Sequence, residues 1–193
     1  MTLRCLARLL PAAAMLAAAG VSAEPVTYRI DPTHTFITFE AVHRDTSTLR
    51  GRFERSEGVV VLDRQARTGR VEVRVDTGSL STGVKPLDAK LTGKDYLDAG
   101  DMPPASFVAE RFVFEGDKLA SVTGTLTLLG VTQPLTLAAT SFGCYTNPLL
   151  KREVCGGDFE TTLVRSVWGM TRGLDTGVPD RIRLLVQVEA IRQ

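Results

Sequence analysis

Between Arg70 and Asp76 the chain reads Arg-Val-Glu-Val-Arg-Val-Asp. Every second residue is valine and the rest are charged, so an extended backbone puts all the apolar groups on one face and all the charges on the other. A helix would scatter both around its circumference. Similar runs recur along the chain. Tyr28 to Asp31 is a short extended start, and Thr33 to His43 is rich in β-branched and aromatic residues. Further strands are expected over Phe53 to Leu62, Ser106 to Glu115, Ala120 to Leu129, Val131 to Phe142, Asp158 to Val167 and Arg181 to Ile191. Gly58 inside the first of these suggests a bulge. Thr68-Gly69, Glu115-Gly116-Asp117, Leu129-Gly130 and Gly156-Gly157 supply turn chemistry. Pro86 to Ala99 stands apart. Leu87, Lys90, Leu91 and Lys94 have partly helical spacing and Pro86 suits a first helical turn, so one or two short helical turns should cap an end. No repeat or linker divides the chain. The pattern predicts one all-β domain, a barrel or a sandwich.

The first 23 residues belong to a different logic. Arg4 and Arg8 precede an apolar run from Leu9 to Ala19, and Val21-Ser22-Ala23 offers the small residues a signal peptidase reads. The run is shorter than the ~20 residues that span a bilayer. We therefore expect a signal peptide cleaved between Ala23 and Glu24, and a periplasmic location; a retained N-terminal anchor is the alternative. Lipidation does not fit, because Cys5 lies before the apolar run. Cleavage removes both arginines, turning the formal charge of +1 into −1. Such a balance offers nothing to neutralise a phosphate backbone, so nucleic acid is not an expected partner. The remaining cysteines, Cys144 and Cys155, would meet an oxidising compartment, where a disulfide is the expected pairing and two buried thiols the alternative. Two cysteines without a nearby histidine are at most half a zinc site, so no metal is expected.

Several strands carry apolar residues at both parities. Ile37, Phe39 and Ala41 share one face, Phe36 and Val42 the other, and Phe112 and Phe114 oppose Val113. An eight-stranded closed barrel with an apolar lumen shows this pattern. Such a lumen is either filled by side chains or holds one small ligand, and pattern alone does not choose. Catalytic signatures are lacking: the chain has no Gly-x-Ser-x-Gly elbow, no His-Glu-x-x-His and no phosphate-binding glycine loop. No catalytic residue is assigned.

Five stretches, in order, resemble the YceI-like family of exported, lipocalin-like proteins. They are Tyr28-Arg29-Ile30-Asp31-Pro32-Thr33-His34-Thr35 with Phe39 and His43; Gly51-Arg52-Phe53 with Gly58; Val75 to Gly83 running on through Asp88, Leu91, Tyr96-Leu97-Asp98 and Pro103-Pro104-Ala105-Ser106-Phe107; Val122 to Leu137; and Arg165-Ser166-Val167-Trp168-Gly169-Met170. The resemblance implies an eight-stranded antiparallel barrel whose lumen binds a polyisoprenoid or related amphiphile, such as a quinone tail. The segment from Cys144 to Gly157 resembles a cysteine-bearing branch of the family. Leu97 stands where a second aromatic is usual, and Trp168 where Phe is common. On this reading the lumen draws on Phe36 or Phe39, Phe53, Phe107, Phe112 or Phe114, and Trp168, each weighed against plain core packing. His43 shares parity with Phe39 and would contact a polar head group, or be an ordinary hydrogen-bonded histidine. Asp88 and Arg165 would close a barrel end as a buried pair, or be two solvated charges. The expected partner is a non-covalent lipid rather than a cofactor, with transient membrane contact; a dimer fits as well as a monomer. The competing roles are an enzyme acting on lipid or quinone through His43, and a stress-linked partner protein needing no ligand.

Overall fold

A computed structural model describes residues 24–193, and the expected signal segment, with Ala23, lies outside the described residues. Glu24 is the first described residue and is exposed. The strands are β1 (Val26–Ile30), β2 (Phe36–His43), β3 (Ser47–Phe53), β4 (Ser56–Asp63), β5 (Thr68–Val75), β6 (Leu80–Ser81), β7 (Ala105–Glu115), β8 (Lys118–Leu128), β9 (Val131–Thr146), β10 (Glu153–Val164) and β11 (Arg181–Arg192). One α-helix, α1 (Lys85–Thr92), lies between β6 and β7, and short 3-10 turns cover Thr77–Ser79, Arg165–Trp168 and Leu174–Thr176.

Every pairing is antiparallel, and the sheet closes on itself through β1 and β11. The ring runs β1, β4, β5, β7, β8, β9, β10, β11 and back to β1, which is a closed eight-stranded barrel. The other three strands prolong members of that ring. Both β1 and β2 pair with β11, β3 continues β4 alongside β2, and β6 continues β5 alongside β3. Three of the eight staves are thus kinked. Closure leaves no edge along the ring for another chain to extend.

α1 packs against β6, and its Leu91 joins Trp168 and Met170 of the Arg165–Asp180 loop at the same barrel end. Pro86 occupies its first turn, as the sequence suggests. Asp88, the buried residue of α1, accepts bonds through Oδ1 from the Thr82 amide (2.7 Å) and hydroxyl (2.6 Å), tying α1 to the residue that follows β6. Arg165 does not meet it. The Arg165 guanidinium, 3 % exposed, donates to the backbone carbonyls of Pro179 (2.8 Å), Met170 (2.5 Å) and Val178 (3.3 Å). The expected Asp88–Arg165 pair is therefore corrected: each residue fastens its own loop.

Three glycine readings also change. Gly58 pairs with Val73 in regular register and makes no bulge; its need is space, since a Cβ there would lie 2.5 Å from the Glu72 carbonyl oxygen. Gly69 lies within β5 rather than in the turn before it. Gly156 and Gly157 lie inside β10, where added Cβ atoms would meet the carbonyl oxygens of Val188 at 2.2 Å and Ser141 at 2.1 Å. β10 can approach both neighbours at that point only because no side chain intervenes.

Candidate functional site: the barrel lumen

The staves surround a cavity of about 170 Å³. Its wall is supplied by the inward parity of each strand. Val71, Val73 and Val75, the alternating valines of β5, form one panel, and Leu184, Val186, Val188 and Ala190 of β11 form another. β1 adds Tyr28 and Ile30, β4 adds Val60 and Leu62, and β10 adds Cys155 and Phe159. Phe107 and Phe112 come from β7, and Leu135, Leu137 and Phe142 from β9. All eight staves contribute, and their outward residues are largely charged or hydroxylated, as in β5 and β11.

Two hydroxyls reach this wall, and both are engaged by it. Thr35, in the kink between β1 and β2, exchanges bonds with the amide and carbonyl of Glu189 at 3.3 Å. The Tyr28 hydroxyl, at the end away from α1, donates to Glu153 Oε1 at 2.5 Å. Burial and that acidic acceptor push the Tyr28 phenol from 10.0 up to about 12. The lumen thus offers an apolar solute surface area rather than charge.

The α1 end is plugged by a packed cluster of Phe39, Leu80, Leu97, Trp168 and Met170, with Phe53 and Leu91 against it. Phe39 and Phe53 have ring centroids 6.5 Å apart, and Gly51 gives Phe39 room, since a Cβ would lie 2.5 Å from its ring. The Trp168 indole N–H donates to the Leu126 carbonyl at 3.2 Å. At the opposite end Cys144 and Cys155 are directly paired across β9 and β10 and form a disulfide. Cys155 belongs to the cavity wall. Glu153 lies within 4.8 Å of both sulfurs, but sulfurs bonded to each other are not thiolate ligands.

The residues singled out in the sequence thus separate. Phe107 and Phe112 stand on the cavity wall. Phe39, Phe53 and Trp168 build the plug. Phe114 packs into the adjoining core clusters instead of the wall, after register shifts between Ala109 and Arg111 and between Val113 and Phe114. Phe36 is corrected to the outer face. Its neighbour Ile37 takes the inward position, and the Arg52 guanidinium lies 4.8 Å over the Phe36 ring. His43 is exposed at the end of β2, at the rim. His34, by contrast, closes the kink: Nδ1 lies 2.8 Å from Asp31 Oδ2. That hydrogen bond and charge raise the His34 pKa. Tyr28, Phe142 and Phe159 join the wall in addition to the residues expected from the sequence. Tyr28 and Phe159 face the same way as Ile30 and Cys155, a signal that alternation carries once the inward parity is known.

Comparison with known proteins agrees with this architecture. The family model described as YceI-like domain matches residues 28–190. A UPF0312 protein of Pseudomonas paraeruginosa is 33% identical over 86% of this chain and 87% of its own length. Protein YceI of Salmonella newport is 30% identical over 89% of this chain and 90% of its own. Among solved structures, Burkholderia cenocepacia BcnA superposes with a TM-score of 0.68 at 22% identity, covering 83% of this chain and 98% of that one. A polyisoprenoid binding domain from Saccharophagus degradans, implicated in plant cell wall breakdown, superposes at 0.62 with 13% identity, covering 87% and 99%. At those identities the superpositions speak for the fold, whereas the sequence match spans nearly the whole barrel: this chain belongs to the YceI-like domain family.

Proposed function

We propose that the protein is exported, loses residues 1–23, and carries a long apolar lipid tail, of polyisoprenoid or quinone type, in its lumen through the periplasm. The observation that carries this reading is the continuous apolar wall around a cavity of about 170 Å³. A dry cavity of ~150 Å³ lined by similar side chains takes up benzene, so this lumen has room for a short stretch of chain. A longer tail extends toward α1 by displacing side chains of the plug, of which Leu97 and Met170 are held by apolar packing while Trp168 is also held by its bond to the Leu126 carbonyl. Each CH₂ that leaves water contributes ~0.8 kcal/mol, so even a ten-carbon stretch gains about 8 kcal/mol before ordering costs. The polyisoprenoid binding named for the Saccharophagus domain supports the same ligand class.

Binding rather than catalysis is the reading the site favours. The base of the enzymatic alternative, His43, is exposed, and its backbone carbonyl accepts from the Thr46 amide and hydroxyl. The test is displacement of an apolar fluorescent dye by polyprenols of increasing length. Saturable displacement that strengthens with chain length supports the proposal; absence of saturable dye or polyprenol uptake refutes it. Turnover of a bound quinone that is lost in His43→Ala would replace it with the enzymatic reading.

A further inference from the structure

We infer that the β9–β10 hairpin is a membrane-docking finger that seats on an anionic phospholipid surface. Its tip reads Asn147-Pro148-Leu149-Leu150-Lys151-Arg152. Leu149 is 90% exposed and Leu150 49%. Two adjacent leucines at the end of a hairpin cost solubility and do not join the core clusters around the lumen. The next two residues are basic and exposed, and neither joins an ion pair among the described residues. Apolar groups at the extremity with cations directly behind them match a bilayer interface: leucines enter the acyl boundary while lysine and arginine reach the phosphates.

The tip is also held in shape. Asn147 Oδ1 accepts the amides of Leu149 (2.9 Å) and Leu150 (3.0 Å). The Asn147 amide donates to the Arg152 carbonyl at 2.8 Å and the Lys151 amide to the Asn147 carbonyl at 2.9 Å. The Cys144–Cys155 disulfide staples the base of the same hairpin. Ordering is therefore settled before contact, which lowers the cost of binding. β9 has 16 residues but pairs with β8 only as far as Ala138, which lies opposite Ser121, and then runs on to Thr146, so the finger extends past the β8 side of the barrel. Charge selects the occupant: a basic pair behind leucines favours anionic lipid over a neutral surface. This inference concerns an outer surface and stands whether or not the lumen holds lipid.

The experiment is vesicle flotation of protein recovered after export, its N-terminus established by mass spectrometry. The vesicles are phosphatidylethanolamine with about one quarter phosphatidylglycerol, against neutral vesicles. Leu149→Ala with Leu150→Ala should weaken partition about tenfold. Lys151→Gln with Arg152→Gln should weaken it about 30-fold on anionic vesicles and leave the neutral ones unchanged. Both variants should melt with the parent, since the exchanged side chains are exposed. Failure of the parent protein to float, or variants that float like it, overturns the inference. Self-association abolished by the leucine exchange also overturns it, assigning the tip to a second copy of the chain.

Discussion

Replacing Val73 by phenylalanine separates a hollow barrel from a filled one. Val73 lies on β5 between Val71 and Val75, all three on the cavity wall. In a packed core the added ring forces neighbours off their rotamers at a cost of typically 1–3 kcal/mol. Here the ring enters a cavity of about 170 Å³. Cavity volume costs ~24 cal/mol per Å³, so filling roughly a third of it should recover about 1 kcal/mol. For a domain of this size that is a rise of about 2–4 °C in Tm. The same ring takes space from the ligand, so Val73→Phe should bind less apolar dye while melting at or above the parent temperature. The assay is differential scanning calorimetry on delipidated protein, paired with dye titration. A fall of more than about 4 °C with dye uptake unchanged would refute the reasoning, because it would mean that the ring met packed side chains and the dye bound elsewhere.

Three further outcomes follow from named contacts. Reducing the Cys144–Cys155 bridge, whose partners are 11 residues apart, should cost about 3 kcal/mol on the chain-entropy account and lower Tm by about 6–12 °C while far-ultraviolet circular dichroism keeps its β-sheet form; an unchanged melt would contradict it. Because the Tyr28 phenol is raised to about 12, its neutral form contributes stability that is complete below pH 10 and is lost as pH rises through about 12; the rise corresponds to about 3 kcal/mol. Urea titrations across that window should show the loss, and Tyr28→Phe should flatten it. Arg165→Met leaves three backbone carbonyls without their donor and should destabilise by about 3 kcal/mol or more in urea unfolding, with Arg165→Lys recovering only part because an ammonium cannot span the same fork.

Where one face of a strand is wet and the other dry, the sequence says so. The Val71–Val75 alternation gives β5 and its inward face directly, and Leu129-Gly130 marks the β8–β9 turn, where both residues take positive φ (53° and 74°). β3, Ser-Thr-Leu-Arg-Gly-Arg-Phe, carries no strand signal in its sequence, because its polar run has little β preference of its own and is held by seven pairings with β2. Gly156 and Gly157 looked like a turn because close approach of backbones and tight turning both call for glycine. Aromatics posed the harder problem. Phe36 and Ile37 are adjacent and both apolar, and only the register against β11 and β3 decides that Ile37 faces the lumen while Phe36 lies beneath Arg52. Register shifts in β7 separate Phe112 from Phe114 in the same way. The ring of strands was therefore legible from local pattern, while the wall of the cavity depended on long-range pairing that local pattern does not encode.

Native mass spectrometry of the protein recovered gently from its own host, followed by solvent extraction and lipid analysis, tests the carrier reading most directly. The account predicts one apolar lipid per barrel, released when the barrel unfolds and reduced in Val73→Phe. A barrel that flies at its bare polypeptide mass and yields no lipid on extraction would contradict it.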